Sequence, residues 1–533
     1  MRAYAETLPN VVVADRNLFT CSQDTQEKIK EYIRKYDLNR VVVASCTPRT
    51  HEPLFRETLR EGTLNKYTFE MCNIRDQCSW VHRDDPEKAT DKAKDLVRMA
   101  VAKARLIKPL TDISVPVNHN GLVIGGGVAG MVCALSLAEQ GFKIDLVEKG
   151  DRLGGQALNL YATYKGDKIK PYVEDLVENV NDHPLIHVYL NTTIKDASGF
   201  IGSFASTLID NKGEKKKLEH GAIIMATGGK PYRPKEYLYG KDPNVLLSLE
   251  FDQEIMKGSD RIRDARSAVF IQCVGSRIPE RPYCSKVCCT HSIHSALTLK
   301  RLHPDMHIYI LYRDIRTFGD REDLYTEARD KGVLFIRYDL ENKPRVEKEN
   351  ERLTVTVTDH VLQRPLEISA DIICLATAIL PSDNIPLTKL YKVSATEEGF
   401  FLEAHMKLRP VDFATDGIFL AGLCHYPKPI EESIAQAKAA SARAAGILMK
   451  DTIEIEPIVS VVNPEICSGC GTCERVCPFG AIHVIEMDGV KKAQNTPASC
   501  KGCGLCTASC PSKAVDMCHF SQHQIRAQIC ALA

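Results

Sequence analysis

Residues 121–156 read GLVIGGGVAGMVCALSLAEQGFKIDLVEKGDRLGGQ, which predicts a strand, a glycine-rich turn, a helix and a second strand. The turn has the spacing Gly125-x-Gly127-x-x-Gly130, and the second strand ends at Glu148. Such glycines let the backbone approach a pyrophosphate, which the positive N-terminus of the helix binds. Glu148 is placed to accept a hydrogen bond from a ribose hydroxyl. The complete unit predicts a dinucleotide-binding βαβ fold, a far more specific signal than the glycine spacing alone.

Two later segments favour FAD as the dinucleotide. AIIMATGGKPYRP at 222–234 and TDGIFLAGLC at 415–424 resemble the crossover and the second flavin-contacting strand of flavoproteins similar to thioredoxin reductase. The RLGGQ run at 152–156 has the same resemblance, which departs where Leu423, instead of the usual aspartate, follows Gly422. The residues assigned to FAD in this way are Gly125, Gly127, Val128, Ala129, Gly130, Glu148, Lys149, Gly154, Gly155, Gln156, Ala226, Thr227, Gly228 and Gly422.

Flavoproteins of that class carry a second Rossmann domain, which binds NADPH, between the two flavin segments. The resemblance spans residues 118–450 of this chain, and the strand SAVFIQ at 267–272 occupies the corresponding position. The loop that follows, CVGSRIPERPYCSKVCC at 273–289, has no glycine fingerprint. Later runs HIYILY, GVLFIR and DIICLATA keep the α/β alternation. We therefore expect the domain to be present without NAD(P)H binding.

The four cysteines of this loop, Cys273, Cys284, Cys288 and Cys289, are predicted to bind a [4Fe–4S] cluster beside the flavin. Cys273 ends a strand at the carboxyl edge, where an α/β sheet holds its ligands. A helical turn would place Cys284 and Cys288 on one face, with Cys289 reaching round from the neighbouring face. A zinc site, or a vicinal disulfide between the adjacent cysteines, is the alternative.

The most specific pattern lies at 467–511, where CSGCGTCERVCP and CKGCGLCTASCP each read C-x2-C-x2-C-x3-C-P. In bacterial two-cluster ferredoxins the fourth cysteine of each run binds the other cluster. A pair of zinc knuckles is the alternative, but zinc sites use two close pairs of ligands. One predicted cluster is held by Cys467, Cys470, Cys473 and Cys510, and the other by Cys500, Cys503, Cys506 and Cys477.

The N-terminal part predicts a small α/β domain, because runs such as NVVVAD and RVVVASC alternate with helical stretches, including a long helix near 86–106. Cys21 and Cys46 each follow one of the apolar runs. With Cys72 and Cys78 they are predicted to hold a further [4Fe–4S] cluster. The fourth ligand is open, since Cys72 could instead be a buried structural cysteine.

Composition narrows the class of protein. The 69 Lys and Arg residues balance 69 Asp and Glu residues, which argues against a nucleic-acid partner or an anionic membrane surface. No apolar run approaches the ~20 residues that span a bilayer, and MRAYAETLPN does not resemble a signal peptide. The expected location is therefore the cytoplasm, without membrane insertion. In a reducing compartment, 21 cysteines favour metal binding over disulfides.

These observations predict an α/β fold. Its core is a thioredoxin-reductase-like pair of Rossmann domains, joined to a small N-terminal α/β domain and a C-terminal two-cluster ferredoxin domain. The predicted boundaries are 1–112 for the N-terminal domain, 118–240 with 381–450 for the FAD-binding domain, 241–380 for the second Rossmann-like domain, and 455–533 for the ferredoxin-like domain.

In this order, RVVVASCTPRTHEPLF, MCNIRDQCSWVH, the flavin fingerprint, the loop cysteines and the double ferredoxin motif resemble the A-type subunit of heterodisulfide reductase over essentially the whole chain. The resemblance implies flavin-based electron bifurcation: FAD takes two electrons as a pair and sends one to ferredoxin and one toward a partner that reduces a disulfide of the CoM-S-S-CoB type. The implied partners are B- and C-like subunits of heterodisulfide reductase, a hydrogenase, formate dehydrogenase or other source of electrons, ferredoxin, and a second copy in a homodimer.

The chain departs from the family in two places. Methanogen members carry an inserted ferredoxin module, for which residues 160–220 have no cysteines. Members usually begin earlier, with a strand bearing Cys-x-Cys-Gly, so either Cys72 replaces a ligand or the sequence is truncated. His294, five residues beyond Cys289, stands where members often carry a lysine near the reactive flavin nitrogen. It is predicted to be a cation or donor for the reduced flavin, and a helix-surface histidine is the alternative.

Two other functions are alternatives to this one. An NAD(P)H oxidoreductase similar to the small subunit of glutamate synthase would need an intact second glycine fingerprint, which residues 273–289 lack. An electron-transfer component of a quinone-linked membrane complex in sulfur or sulfate metabolism would be distinguished by partner genes that encode membrane proteins.

Overall fold

The computed structural model describes residues 1–349 and 352–533 and divides into two compact units. The terminal unit contains residues 1–115 and 454–533, and the central unit contains residues 116–453. The chain passes between the units within two short strands, Ile113–Pro116 and Thr452–Ile455.

The first sheet of the central unit contains the glycine-rich turn. Its five parallel strands are, in spatial order, Ile418–Leu420, Ala222–Met225, Gly121–Ile124, Ile144–Val147 and Ile186–Tyr189. The strand before the turn and its neighbour Ala222–Met225 are short and fully buried, as expected for a parallel sheet covered on both faces. The helices that pack on one face are Val128–Ala138, Ile169–Asp182 and Ile430–Leu448. The other face packs on an antiparallel sheet of Thr192–Phe200, Ser203–Asp210 and Lys215–His220.

The second sheet of the central unit is also five-stranded and parallel. Its strands are, in spatial order, Val245–Leu247, Ile372–Thr377, Ser267–Val274, His307–Tyr312 and Leu334–Arg337. Its helices are Ser248–Lys257, Asp260–Asp264, Cys288–Leu302 and Glu322–Asp330. An antiparallel sheet of Arg345–Glu349, Arg352–Asp359 and Arg364–Ala370 follows, and a helix at Ile385–Tyr391 comes later in the chain. The antiparallel pair Gly229–Pro231 and Ile379–Pro381 carries the chain from one parallel sheet to the other and back.

The terminal unit combines the N-terminal segment with the cysteine-rich C-terminus. Its strands pair as Val41–Ser45 with Phe69–Asn73, Ser460–Val462 with Val515–Met517, and Ile482–Met487 with Val490–Asn495. Its α-helices are Arg2–Glu6, Gln23–Lys35, Pro48–Glu61, Pro86–Ala104, Thr472–Val476, Leu505–Ser509 and Gln522–Cys530, and a π-helical turn covers Arg75–Trp80.

The predicted strand at 10–15 is wrong, because the run NVVVAD has no regular structure. Val12 is 68% exposed, and the two-stranded sheet ends without pairing to this run. A β-branched run forms a strand only where a neighbouring backbone can pair with it and a surface can bury one face. Cys21 therefore lies in a turn, whereas Cys46 directly follows the strand Val41–Ser45, as expected.

The C-terminal helix Gln522–Cys530 packs on the long N-terminal helix Pro86–Ala104. The amide of Gln524 donates to the carbonyl oxygen of Leu106 at 3.1 Å. The buried ammonium of Lys103 pairs with Glu70 at 2.8 Å and lies 3.8 Å from the ring centroid of Phe520. The first and last parts of the chain thus share one folded unit, which their separation in sequence did not indicate.

Candidate functional site

The glycine-rich turn has the geometry that a bound pyrophosphate requires. Gly125 has φ +116°, and a Cβ there would lie 2.2 Å from the carbonyl oxygen of Ala226. A Cβ on Gly130 would lie 1.8 Å from the carbonyl oxygen of Gly125. At Gly127, which precedes the helix Val128–Ala138, a Cβ would meet no atom within 4 Å. Backbone packing therefore explains two of the glycines, while the third borders open space at a helix N-terminus, where anions bind.

Glu148 is held beside this turn by the backbone. Its carboxylate accepts hydrogen bonds from the N–H of Gly126 at 2.6 Å and of Gly150 at 2.7 Å. The N–H of Gly154 donates to the carbonyl oxygen of Gly126 at 2.9 Å, which brings the second glycine run against the turn. The acidic residue and both glycine runs therefore lie together, as the FAD assignment requires.

Residues 226–228 are positioned by contacts to the crossover strands. Thr227 Oγ1 donates to Asn384 Oδ1 at 2.7 Å, and Ser382 Oγ donates to the carbonyl oxygen of Thr227 at 2.8 Å. The N–H of Ala226 donates to the carbonyl oxygen of Ile124 at 2.8 Å. Gly228 has φ +73° with open space where a Cβ would be. The segment is thus fixed at the carboxyl end of the sheet, where dinucleotides bind.

A cavity of about 180 Å³ collects parts of the chain that are far apart in sequence. Gln156 lines it from the first flavin segment, Gly229 from the crossover, and Leu423 from the second flavin segment. Cys288 and His294 line it from the thiol loop and the helix that follows. The glycine geometry and this cavity fit a bound FAD, and the thiol loop is part of the same wall.

At the second flavin segment the residues differ from the expected Gly-Asp pair. Gly422 has φ +80°, and a Cβ there would lie 2.9 Å from the Cβ of Ala129. Its N–H donates to Gln436 Oε1 at 2.9 Å, and its carbonyl oxygen accepts from Lys428 Nζ at 2.7 Å. Sequence reasoning missed this glutamine and this lysine, since nothing in HYPKPIEESIAQ marks a lysine that is buried against the glycine turn.

His294 is buried in the helix Cys288–Leu302, with 6% of its surface exposed. Its Nε2 has no hydrogen-bond partner among the residues that the structure describes. Burial, and then the neighbouring His291, lower the pKa of His294 to about 4. The imidazole is therefore neutral near pH 7, so it can exchange hydrogen bonds in the cavity but cannot supply a positive charge. The alternative of a helix-surface histidine does not match this burial.

The thiol loop brings its four cysteines together in a way that differs from the prediction. Cys273 has φ +59° at an irregular step of the strand Ser267–Val274. Cys284 lies before the helix, which begins at Cys288, so one helical turn does not hold both. The expected (i, i+4) arrangement is wrong because Lys286, with φ +62°, interrupts the backbone between them.

Two observations nevertheless support a shared ligand site in this loop. Burial raises the pKa of Cys288 well above its usual value, and the nearby thiols of Cys289, Cys273 and Cys284 raise it further. Thiols that affect one another in this way lie close in space. The adjacent pair also stands at a helix N-terminus, where negative charge is stabilised. Arg277 Nη1 lies 4.0 Å from Cys273 Sγ and adds a positive charge.

In the ferredoxin segment the cysteines line two separate small cavities. The first is lined by Cys467, Cys470, Cys473 and Cys510, and the second by Cys477, Cys500, Cys503 and Cys506. Each cavity thus combines three cysteines of one repeat with the fourth cysteine of the other. This is the grouping that an exchange of fourth ligands requires.

Replacing Cys477 with alanine is expected to damage the cluster held by the second repeat, because this thiol lines the cavity of Cys500, Cys503 and Cys506. Electron paramagnetic resonance of the reduced protein, with one cluster signal assigned by a Cys503→Ala reference, would measure the loss. Cys530→Ala, which alters an exposed cysteine outside both cavities, is the matched control. Loss confined to the cluster of Cys467, Cys470 and Cys473 would contradict the exchange.

The N-terminal cysteines divide into two groups. Cys21, Cys46 and Cys78 line one cavity of about 500 Å³. Cys72 is not among the lining residues; it is buried in the strand Phe69–Asn73, and burial raises its pKa to about 12. The structure thus brings three of the four predicted ligands together, and Cys72 has the surroundings of a core thiol.

Two absences apply to the described ranges. Within 1–349 and 352–533, no three His, Cys, Asp or Glu side chains are arranged around a point where a single metal ion would bind. A [4Fe–4S] cluster distributes its cysteine ligands over several irons instead. In the same part of the chain, no helix combines the length and the apolar character needed to cross a bilayer.

Comparison with known proteins covers nearly the whole chain. The family described as pyridine nucleotide-disulphide oxidoreductase matches residues 119–266, and the 4Fe-4S dicluster domain matches residues 460–514. The second of two A-type iron–sulfur subunits of CoB–CoM heterodisulfide reductase from Methanopyrus kandleri is 39% identical, over 91% of this chain and 88% of that protein. The A-type subunit of the H(2):CoB-CoM heterodisulfide,ferredoxin reductase of Methanothermobacter thermautotrophicus is 38% identical, over 99% and 94%.

Among solved structures, thioredoxin reductase of Lactococcus lactis aligns with 62% of this chain and 99% of its own, at 17% identity and a TM-score of 0.44.

Proposed function

The chain belongs to the family of heterodisulfide reductase A-type subunits, an oxidoreductase family, and from that membership we propose that it is the flavin and iron–sulfur subunit of a heterodisulfide-reductase-like complex. It has a flavin-type oxidoreductase domain and a 4Fe-4S dicluster domain. When bound, FAD supplies the exchange between two-electron and one-electron transfer. In the proposed reaction one electron of a pair goes to ferredoxin and the other toward a partner protein that reduces a CoM-S-S-CoB-like disulfide.

The cavity wall is the observation that carries this proposal. Gln156 and Gly229, from the flavin segments, line the same cavity as Cys288 of the thiol loop. In a pyridine-nucleotide enzyme, the loop at 273–289 would bind the NADPH phosphates. Here it holds four thiols, so a redox group bound there would exchange single electrons with the flavin in place of a hydride donor.

The proposal includes four [4Fe–4S] clusters: two in the ferredoxin segment, one in the thiol loop and one at the N-terminal cysteines. Cys21, Cys46 and Cys78 would supply three ligands of the last cluster. The proposed partners are B- and C-like subunits of heterodisulfide reductase, ferredoxin, a hydrogenase, formate dehydrogenase or other source of electrons, and a second copy of this chain. The proposed location is the cytoplasm.

Purification of the native complex would test the function. We expect one FAD and about sixteen irons per chain, four for each [4Fe–4S] cluster, together with co-eluting disulfide-reducing and electron-input proteins. Reduction of ferredoxin by the complex should require the disulfide acceptor, because the two electrons of each pair must leave by different routes. Ferredoxin reduction at the same rate without the acceptor would exclude bifurcation. Co-elution with membrane proteins would favour the quinone-linked alternative.

A further inference from the structure

Lys428 is a buried cation that the sequence motifs do not account for. It stands two residues before the helix Ile430–Leu448, with 4% of its surface exposed, and lines the cavity that Gln156 and Cys288 share. A charged ammonium is expensive to bury unless a nearby negative charge compensates for it. A negative charge that is free to balance Lys428 is therefore expected close to this cavity.

The hydrogen bonds of Lys428 do not provide that charge. Its Nζ donates to the carbonyl oxygen of Gly422 and to Gln436 Oε1, each at 2.7 Å. Both acceptors are neutral. The nearby carboxylates are engaged elsewhere, since Glu432 pairs with Lys286 at 2.5 Å and Glu403 accepts from the ring of a histidine at 2.8 Å.

The polar groups behind Lys428 fix it as a donor. Gln436 Oε1 accepts from both Lys428 Nζ and the N–H of Gly422, so the amide nitrogen is left to donate to His425 Nδ1, at 2.7 Å. His425 Nε2 then donates to Glu403 at 2.8 Å. Each group in this series has one possible role, so the lysine and the glycine turn are held as one rigid piece. Burial lowers the pKa of Lys428 to about 8, which leaves the ammonium mostly charged at neutral pH.

Other cations at the cavity are less suited to balance a new negative charge. Lys286 and Arg321 are paired with Glu432 and Glu431, at 2.5 and 2.6 Å. Lys230 lines the cavity but is exposed, so solvent screens its charge.

We propose that Lys428 supplies the positive charge that stabilises the anionic reduced form of the flavin, and that its compensating charge is therefore the cofactor itself. This inference rests on the proposed function, because it requires FAD at the site of Gly127 and Gly422. A buried charge close to a cofactor changes its reduction potential more than an exposed one does, since the surrounding dielectric is low. His294, which is neutral, would contribute a hydrogen bond and not a charge.

The test is the flavin midpoint potential of the full chain in its native complex, followed by optical titration. Lys428→Met should retain FAD but lose about tenfold in its preference for reduced over oxidised flavin, a fall of about 30 mV for a two-electron couple. Lys428→Arg, which keeps the charge, should remain closer to wild type. Lys230→Met is the matched control from the same cavity and should leave the potential unchanged. His294→Ala should shift it less than Lys428→Met does.

Three results would overturn the inference. The first is FAD bound to Lys428→Met at the wild-type potential; Lys428→Gln provides the same comparison if the methionine variant folds poorly. The second is a larger shift in His294→Ala, which would assign the charge to that residue. The third is a wild-type complex without flavin, which would also overturn the proposed function and is therefore distinguishable from the other two.

Discussion

Replacing both Cys288 and Cys289 with serine is expected to remove about four irons per chain, one [4Fe–4S] cluster, and to leave FAD bound. Two of the four loop thiols, Cys273 and Cys284, would remain, which is too few to retain a cube. The flavin contacts at the glycine-rich turn come from a different sheet and are not altered. Iron analysis, electron paramagnetic resonance and flavin absorbance of the same preparation would measure both quantities.

A matched control exists in the same sheet. Cys374 is a buried thiol on the strand Ile372–Thr377, outside the loop, and Cys374→Ala should keep all of the iron. Ferredoxin reduction should fall to background in Cys288→Ser/Cys289→Ser and remain in the control. Iron content equal to wild type in the double variant would refute the cluster, and stoichiometric zinc in the wild-type protein would replace it with the zinc alternative.

The second large effect is expected at the flavin fingerprint, where Gly127→Leu should reduce the flavin content at least tenfold without unfolding the chain. The protein itself tolerates a side chain there, because φ is −76° and a Cβ meets no atom within 4 Å. The new side chain would instead occupy the space in front of the helix Val128–Ala138, where the pyrophosphate of FAD is proposed to bind. Absorbance near the flavin band and the thermal unfolding midpoint would be measured together.

Gly446→Leu is the matched control for this variant. Gly446 lies in the helix Ile430–Leu448, and a Cβ there also meets no atom within 4 Å. It should retain full flavin. Gly130→Leu is not a useful test, because a Cβ 1.8 Å from the carbonyl oxygen of Gly125 would distort the turn itself. Full flavin content in Gly127→Leu would contradict the FAD assignment.

The parts of the fold that the sequence predicted are those set by local constraints. The glycine-rich turn is such a case, because backbone contacts at Gly125 and Gly130 leave no room for any other residue. The strand at 267–272 and the later strands of its sheet were likewise evident as apolar runs, and the structure has them at Ser267–Val274, His307–Tyr312 and Ile372–Thr377. The α/β core, the ferredoxin segment and the family assignment are confirmed.

What the sequence did not predict depends on contacts between distant segments. The start of the helix at Cys288 is set by the backbone conformation of Lys286, which no propensity indicates. The run at 10–15 has the composition of a strand but lacks a partner to pair with. The burial of Lys428 follows from Gly422 and Gln436, and the neutrality of His294 follows from its position inside the cavity wall.

The shared terminal unit has a consequence for how the protein is made. The first 115 residues leave the ribosome before residues 116–453 are translated, and residues 454–533 arrive last. At ~5–20 residues per second, the N-terminal segment waits on the order of tens of seconds for its packing partner. Until Phe520 and Gln524 emerge, Lys103 and the carbonyl group of Leu106 lack the contacts of the finished unit. Maturation of the N-terminal thiol site is therefore a late, post-translational step, and ribosome stalling before the final helix would leave a chain with a folded flavin core and an immature N-terminus.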